Sequence, residues 1–115
     1  MVWVDWVKGE GLRFLPFRTV DLCEAPRTGV YMIVFIEQAR SVKIGYGNVA
    51  EMIAADRRDP EILACEQNGT LQVTWGATEP EQMMGIVRSL SDQLTPLIKI
   101  TAPYAAPIPV NLPSV

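Results

Sequence analysis

Four basic side chains, Arg40, Lys43, Arg57 and Arg58, are the ones whose spacing could gather cations against a polyanion. Gripping a nucleic acid takes a basic face that releases counterions from the phosphates. The 115-residue chain carries a net charge of −3, so the four read as part of a solvated surface of mixed charge, and nucleic acid is a disfavoured partner. Histidine is absent, which removes every Ser–His or Cys–His nucleophilic pair and every imidazole metal ligand. Cys23 and Cys65 do not form a Cys-x-x-Cys zinc pair. Gly45-Tyr46-Gly47 is a lone GxG, without the lysine and hydroxyl residue that complete a phosphate loop.

The elements that must position these residues are readable from pattern. Residues 30–35 (VYMIVF) are apolar on both faces and predict a strand in the middle of a covered sheet. A polar stretch over 37–41 turns the chain into a return strand over 42–46, and Gly45 there allows a close approach to the neighbouring strand. Asn48 is a good N-cap for a helix running to about Arg58. Val49 and Ile53, four apart, face the core, and Met52 and Asp56 share the adjacent face. Asp59-Pro60 ends that helix, with a further helical turn over 61–65.

Residues 71–75 alternate, with Leu71, Val73 and Trp75 inward. Thr78-Glu79-Pro80-Glu81 reads as a capping box opening a long helix. Its apolar side carries Met83, Met84, Val87, Leu90 and Leu94, and Pro96 marks its end. Residues 2–7 and 12–17 predict a leading hairpin. Pro103, Pro107, Pro109 and Pro113 predict an extended arm over 102–115, after a single domain over 1–101 whose core spans about 12–101. The class is α+β, with a small antiparallel three-stranded sheet flanked by helices in the order β-β-α-β-α.

With 49% hydrophobic residues the chain has enough apolar material for one core, and no apolar run reaches the roughly 20 residues of a membrane span. The apolar N-terminus contains Asp5 and lacks a basic leader region, so it does not read as a signal peptide. Two cysteines are too few for a disulfide scaffold, and reduced thiols are expected. Asn68-Gly69-Thr70 then reads as a turn before a strand rather than a glycan acceptor. These features point to the cytoplasm and away from a membrane.

The element order, with Gly29-Val30-Tyr31 on one strand and Lys43-Ile44-Gly45 on the next, resembles the GIY-YIG nuclease domain over residues 12–111. The resemblance implies a metal-dependent phosphodiesterase in which signature tyrosines activate water, a helical Arg holds the phosphate and a Glu of the last helix binds the cation. Tyr31 matches the first signature tyrosine. Lys43 sits where the second usually lies, with Tyr46 as a displaced substitute. The Arg position falls at Met52, the polar position one turn later at Asp56, and the Glu position at Val87. Glu81, the nearest acidic substitute, is committed to the helix cap.

These departures imply a catalytically inactive domain with a binding or assembly role. Mg²⁺ needs a carboxylate and a phosphoryl transition state needs a cation, and neither Val87 nor Met52 supplies one. Met52 and Val87 are expected to pack together where the ionic pair would have been, leaving a vestigial site of Tyr31 and Tyr46 in a cleft with Lys43, Met52, Asp56, Arg57 and Val87. No cofactor is expected. A protein partner or a second copy of the chain would dock on exposed apolar residues, with Trp3, Trp6, Phe14, Phe17 and the proline-rich arm as candidates. The alternative is a rearranged DNA endonuclease, in which Tyr31, Tyr46, Asp56 and Arg57 converge with Mg²⁺. A third reading is a cleft for a partly apolar amine. Tyr31, Lys43 and Asp56 also have plain structural readings, as a core tyrosine, an exposed strand residue and a solvated helix residue.

Overall fold

A strand with no charged side chain and an unbroken run of large apolar or aromatic ones is stable when covered on both faces, and the strand that carries Tyr31 is. The computed structural model describes residues 1–38, 40–99 and 105–113. Its strands are β1 (Leu15–Pro16), β2 (Gly29–Phe35), β3 (Arg40–Gly47) and β4 (Leu71–Ala77). Its helices are α1 (Val49–Asp56), α2 (Pro60–Glu66) and α3 (Met83–Leu94). The strands form one antiparallel sheet in the order β1-β4-β2-β3. All seven residues of β2 are buried, as its unbroken apolar run requires.

The pleat divides β2 between two apolar clusters. Tyr31, Ile33 and Phe35 pack with Val49, Ile53, Ile62, Val73 and Trp75 on the side of α1 and α2. Val30, Met32 and Val34 pack with Ile86, Val87 and Leu90 on the side of α3. The expected succession of two strands, helix, strand and helix is present in β2, β3, α1, β4 and α3. The sheet has four strands rather than three, because Leu15 and Pro16 pair with Val73 and Gln72. Proline suits such an edge position, where no ladder donor is required.

The leading hairpin does not form. The Val7 amide donates instead to Trp75 O, and Val2 makes a parallel bridge to Val110, so the N-terminal segment serves the sheet and the far end of the chain. Asn111 completes that junction. Its side chain accepts from the Val4 amide at 2.6 Å and donates to Val4 O at 2.8 Å, while the Trp6 indole N–H donates to Asn111 O. Residues 105–109 and 111–113 have no regular structure, and Val110 is buried in the α3-side core. Residues 102–104, 114 and 115 of the expected arm lie outside the described residues.

The capping box at Thr78 is also absent. A 3₁₀ turn over Pro80–Gln82 precedes α3, its cap residue Glu79 makes no side-chain bond, and Thr78 Oγ1 is buried without a partner. Proline favours this entry because its missing N–H is one the first turn leaves unbonded anyway. α3 ends at Leu94, with Thr95 in the left-handed conformation (φ 46°) just before Pro96. Its buried face includes Gly85, Ile86 and Ser89 beside Val87 and Leu90. Gly85 is required by a close approach: a Cβ there would lie 2.8 Å from Ala106 O and 2.5 Å from Ile108 Cγ1.

Candidate functional site

The site is set by a break in pairing. Ile33 opposes Lys43, but Val34 opposes Ser41, so Val42 is an extra residue in β3. Such a bulge turns two successive side chains toward one face. Val42 joins the core on the α1 side, and Lys43 reaches the last residue of α1. Two pairs further on, Gly45 opposes Tyr31. The Tyr31 ring fills the space over Gly45, where a Cβ would sit 2.6 Å from the tyrosine hydroxyl oxygen. Gly45 thus makes room for a side chain, not for a neighbouring strand.

α1 supplies the third member. Asn48 caps the helix by accepting from the Glu51 amide, as the sequence predicts. Val49, Ile53 and Asp56 recur at helical spacing and are all buried. Tyr31 Oη donates to Asp56 Oδ2 at 2.6 Å, and Lys43 Nζ donates to Asp56 Oδ1 at 2.6 Å. The Lys43 and Asp56 side chains are 17% and 4% exposed. Asp56 is therefore not solvated and Lys43 is not an exposed strand residue. A carboxylate at a helix C-terminus faces the unfavourable end of the helix dipole, and the Lys43 ammonium offsets that field. Each carboxylate oxygen receives one charge-assisted or phenolic donor, which is what a buried anion needs.

Burial pushes the Tyr31 phenol well above its ordinary range, and the adjacent Asp56 carboxylate pushes the same way. Tyr31 therefore keeps its proton and acts as a fixed donor. In this arrangement the phenol is engaged as a donor to Asp56, whereas the family resemblance gives it the role of activating water.

The remaining predicted members do not converge. Tyr46 opposes Val30, so it lies over the α3-side core, away from Tyr31. Val87 belongs to that same core, while Met52 packs against the α1-side core. The expected Met52–Val87 contact is not formed, because α1 and α3 cover opposite faces of the sheet. Arg57 turns from the site altogether: its Nε donates to Phe17 O at 3.0 Å and its Nη2 to Val20 O at 2.7 Å. Partial burial lowers the guanidinium pKa from its ordinary value. Arg18 donates to Arg57 O and pairs with Glu66, extending the same clamp. Lys43 is thus engaged by Asp56 and Arg57 by backbone carbonyls of the segment before β2.

A groove of about 490 Å³ opens at the rim, lined by Lys43, Ile44, Gly45, Tyr46, Met52, Ile98 and Lys99. Ile98 and Lys99 were not expected there. The sequence signal for them is slight: a short apolar pair, Leu97-Ile98, directly after the proline that ends α3.

The donor set does not fit a divalent cation. Mg²⁺ calls for near-octahedral hard oxygen ligands. The carboxylate that Tyr31 bonds, Asp56, has both of its oxygens already occupied by donors, one of them an ammonium. Among the described residues no three His, Cys, Asp or Glu side chains gather as a metal-holding group. The arrangement is suited to holding a helix against a sheet and to presenting a half-apolar groove at the sheet edge.

Comparison with family models, with curated proteins and with solved structures finds no match to this chain.

Proposed function

We propose that this chain is a catalytically silent domain of GIY-YIG-like kind, serving as a binding or assembly module. One observation carries the reading. The carboxylate at the would-be centre, Asp56, is buried and neutralised by Lys43, with Tyr31 locked onto it as a donor. A nuclease needs that region open to a phosphodiester and electropositive around it. Here the Arg position is Met52, half-buried against the core, and the Glu position, Val87, is on the far side of the sheet. The charges that remain cancel one another inside the fold and hold β2, β3 and α1 in place.

The surface supports a docking role on separate grounds. Of the aromatic candidates, Trp6, Phe14 and Phe17 are core residues, whereas Trp3 is 76% exposed and stands with Leu112 at one shallow pocket. Among the described residues no helix is long and apolar enough to cross a membrane. A cytoplasmic setting accompanies this reading, with Cys23 and Cys65 unpaired.

The test is incubation of purified protein with supercoiled plasmid in Mg²⁺ and in Mn²⁺. Intact plasmid is expected at every protein concentration. Cleavage that a Tyr31→Phe variant loses would overturn the reading in favour of a rearranged endonuclease.

A further inference from the structure

The bulge that sends Lys43 to Asp56 also leaves Ser41 on the other face of the sheet. Ser41 opposes Val34 across the β2–β3 ladder, and cross-strand partners share a face, so its side chain lies on the α3 side. Its carbonyl accepts from the Leu97 amide at 3.2 Å, which pins the backbone there. The residue is 6% exposed, and among the described residues its hydroxyl has no hydrogen-bond partner. Ser41 stands at a cavity of about 270 Å³. Six of the seven lining residues are apolar, with Phe14, Met32 and Val34 as buried walls and Leu94 and Pro113 as a half-buried rim. The lining holds no charged side chain.

A buried hydroxyl without a partner forfeits the hydrogen bond it makes in water, and such a group calls for an explanation. Water suits this place poorly, because a buried water needs about two to four polar partners and the lining offers one polar side chain. We propose that the cavity binds a small neutral molecule, apolar except for one hydroxyl or carbonyl group that pairs with Ser41 Oγ. A dry cavity of roughly 150 Å³ takes up benzene, so this one fits a ligand of about ten non-hydrogen atoms. The walls draw in hydrocarbon by removing its surface from water. Serine donates or accepts, so hydroxyl and carbonyl heads both suit it. A carboxylate or an ammonium is rejected, since no opposite charge lines the cavity and a lone buried ion is costly. The site goes beyond the assembly reading. It lies across the sheet from Tyr31 and Asp56 and does not depend on whether that centre is silent.

The test titrates para-propylphenol, propylbenzene and para-ethylbenzoate into the isotope-labelled full chain. The phenol is expected to shift the methyl signals of Met32 and Val34 and to give intermolecular NOEs to them. Propylbenzene, which lacks the hydroxyl, should bind at the same place about two- to tenfold more weakly, the range of one hydrogen bond. The benzoate should leave those signals unmoved. Ser41→Ala removes a hydroxyl with no partner among the described residues, so its urea midpoint should be no lower than the parent's. In that variant the advantage of the phenol over propylbenzene should disappear. The proposal is overturned if neither neutral probe shifts the Met32 and Val34 methyls, or if the benzoate binds as tightly as the phenol. A phenol that keeps its advantage in Ser41→Ala overturns it too, as does a lowered midpoint, which would mean that the hydroxyl is already bonded within the fold. NOEs from Ser114 or Val115 to Phe14 or Met32 in the free chain would seat the chain's own end in the cavity and equally overturn it.

Discussion

The two faces of the sheet are held by different physics. On the α3 side, Val30, Met32, Val34, Ile86, Val87 and Leu90 form a core of apolar side chains, sealed at its rim by the junction of the chain ends at Asn111. On the α1 side an apolar core of similar extent surrounds a buried carboxylate with two donors. The first face gains stability in proportion to the area it removes from water. The second gains it in the same way, but adds a centre whose members are each costly alone and acceptable only together. The difference shows why charge at the would-be catalytic position need not mean catalysis. An ion group that closes on itself is a positioning device, and its effects should be read out as stability.

The comparison breaks most sharply at Asp56. Replacing it by Ala leaves the Lys43 ammonium and the Tyr31 hydroxyl buried without their acceptor, and the expected loss is roughly 3–5 kcal/mol by urea denaturation. Removing all three polar ends, with Tyr31→Phe, Lys43→Met and Asp56→Leu together, should return stability to near the parent value, since apolar groups of similar volume often replace a buried ion pair without loss. A triple variant as unstable as Asp56→Ala would mean that the centre contributes net stability of its own. On the opposite face Val87→Ala has only packing to lose. About 2 kcal/mol is expected from the two carbons deleted and the void they leave, and no companion substitution should rescue it.

The two faces also differ in alkali. Tyr31 has its pKa raised in the folded protein above the ordinary value of 10.0, first by burial and then by Asp56. The unfolded chain releases that phenolic proton near its ordinary value while the folded chain retains it, so above this point the folded state binds more protons. Stability should fall as pH rises, by about 1.4 kcal/mol per pH unit for this group, with its contribution intact at lower pH. Urea midpoints from pH 9 to 11 check this, and Tyr31→Phe should flatten the limb. A Val87→Ala variant should keep the parent slope, being lower by a constant amount.

How far the sequence discloses this architecture depends on whether the signal is local. The run over 30–35, the cap at Asn48 and the alternation over 71–75 are local patterns, and each element forms where the pattern lies. The Tyr31–Asp56–Lys43 centre is not local. It depends on an extra residue at Val42, and a bulge leaves no mark in a short strand pattern that reads equally well without it. The fate of residues 2–7 is likewise invisible, because their partners, Trp75 and residues 110–111, are supplied from distant parts of the chain. Thr78 shows the reverse error: a sequence that matches a capping box is overruled by the 3₁₀ entry through Pro80.

The smallest expected effect is the most direct check on the separation of the faces. If Met52 and Val87 shared one cleft, truncating either would loosen the other, and a double-mutant cycle would report a coupling of 0.5–3 kcal/mol, the range for residues in contact. With Met52 packed beside Lys43 on the α1 side and Val87 beside Leu90 on the α3 side, the sheet stands between them. Met52→Ala and Val87→Ala should then add to within about 0.5 kcal/mol. Met52→Ala alone should also cost less than Val87→Ala, because Met52 is half-buried at the groove and its site can relax into solvent. A clear coupling would place the two side chains in contact and return the apolar-swap account of the cleft to serious consideration. Additivity leaves Met52 as a wall of the β3 groove, separate from the α3-side core that holds Val87.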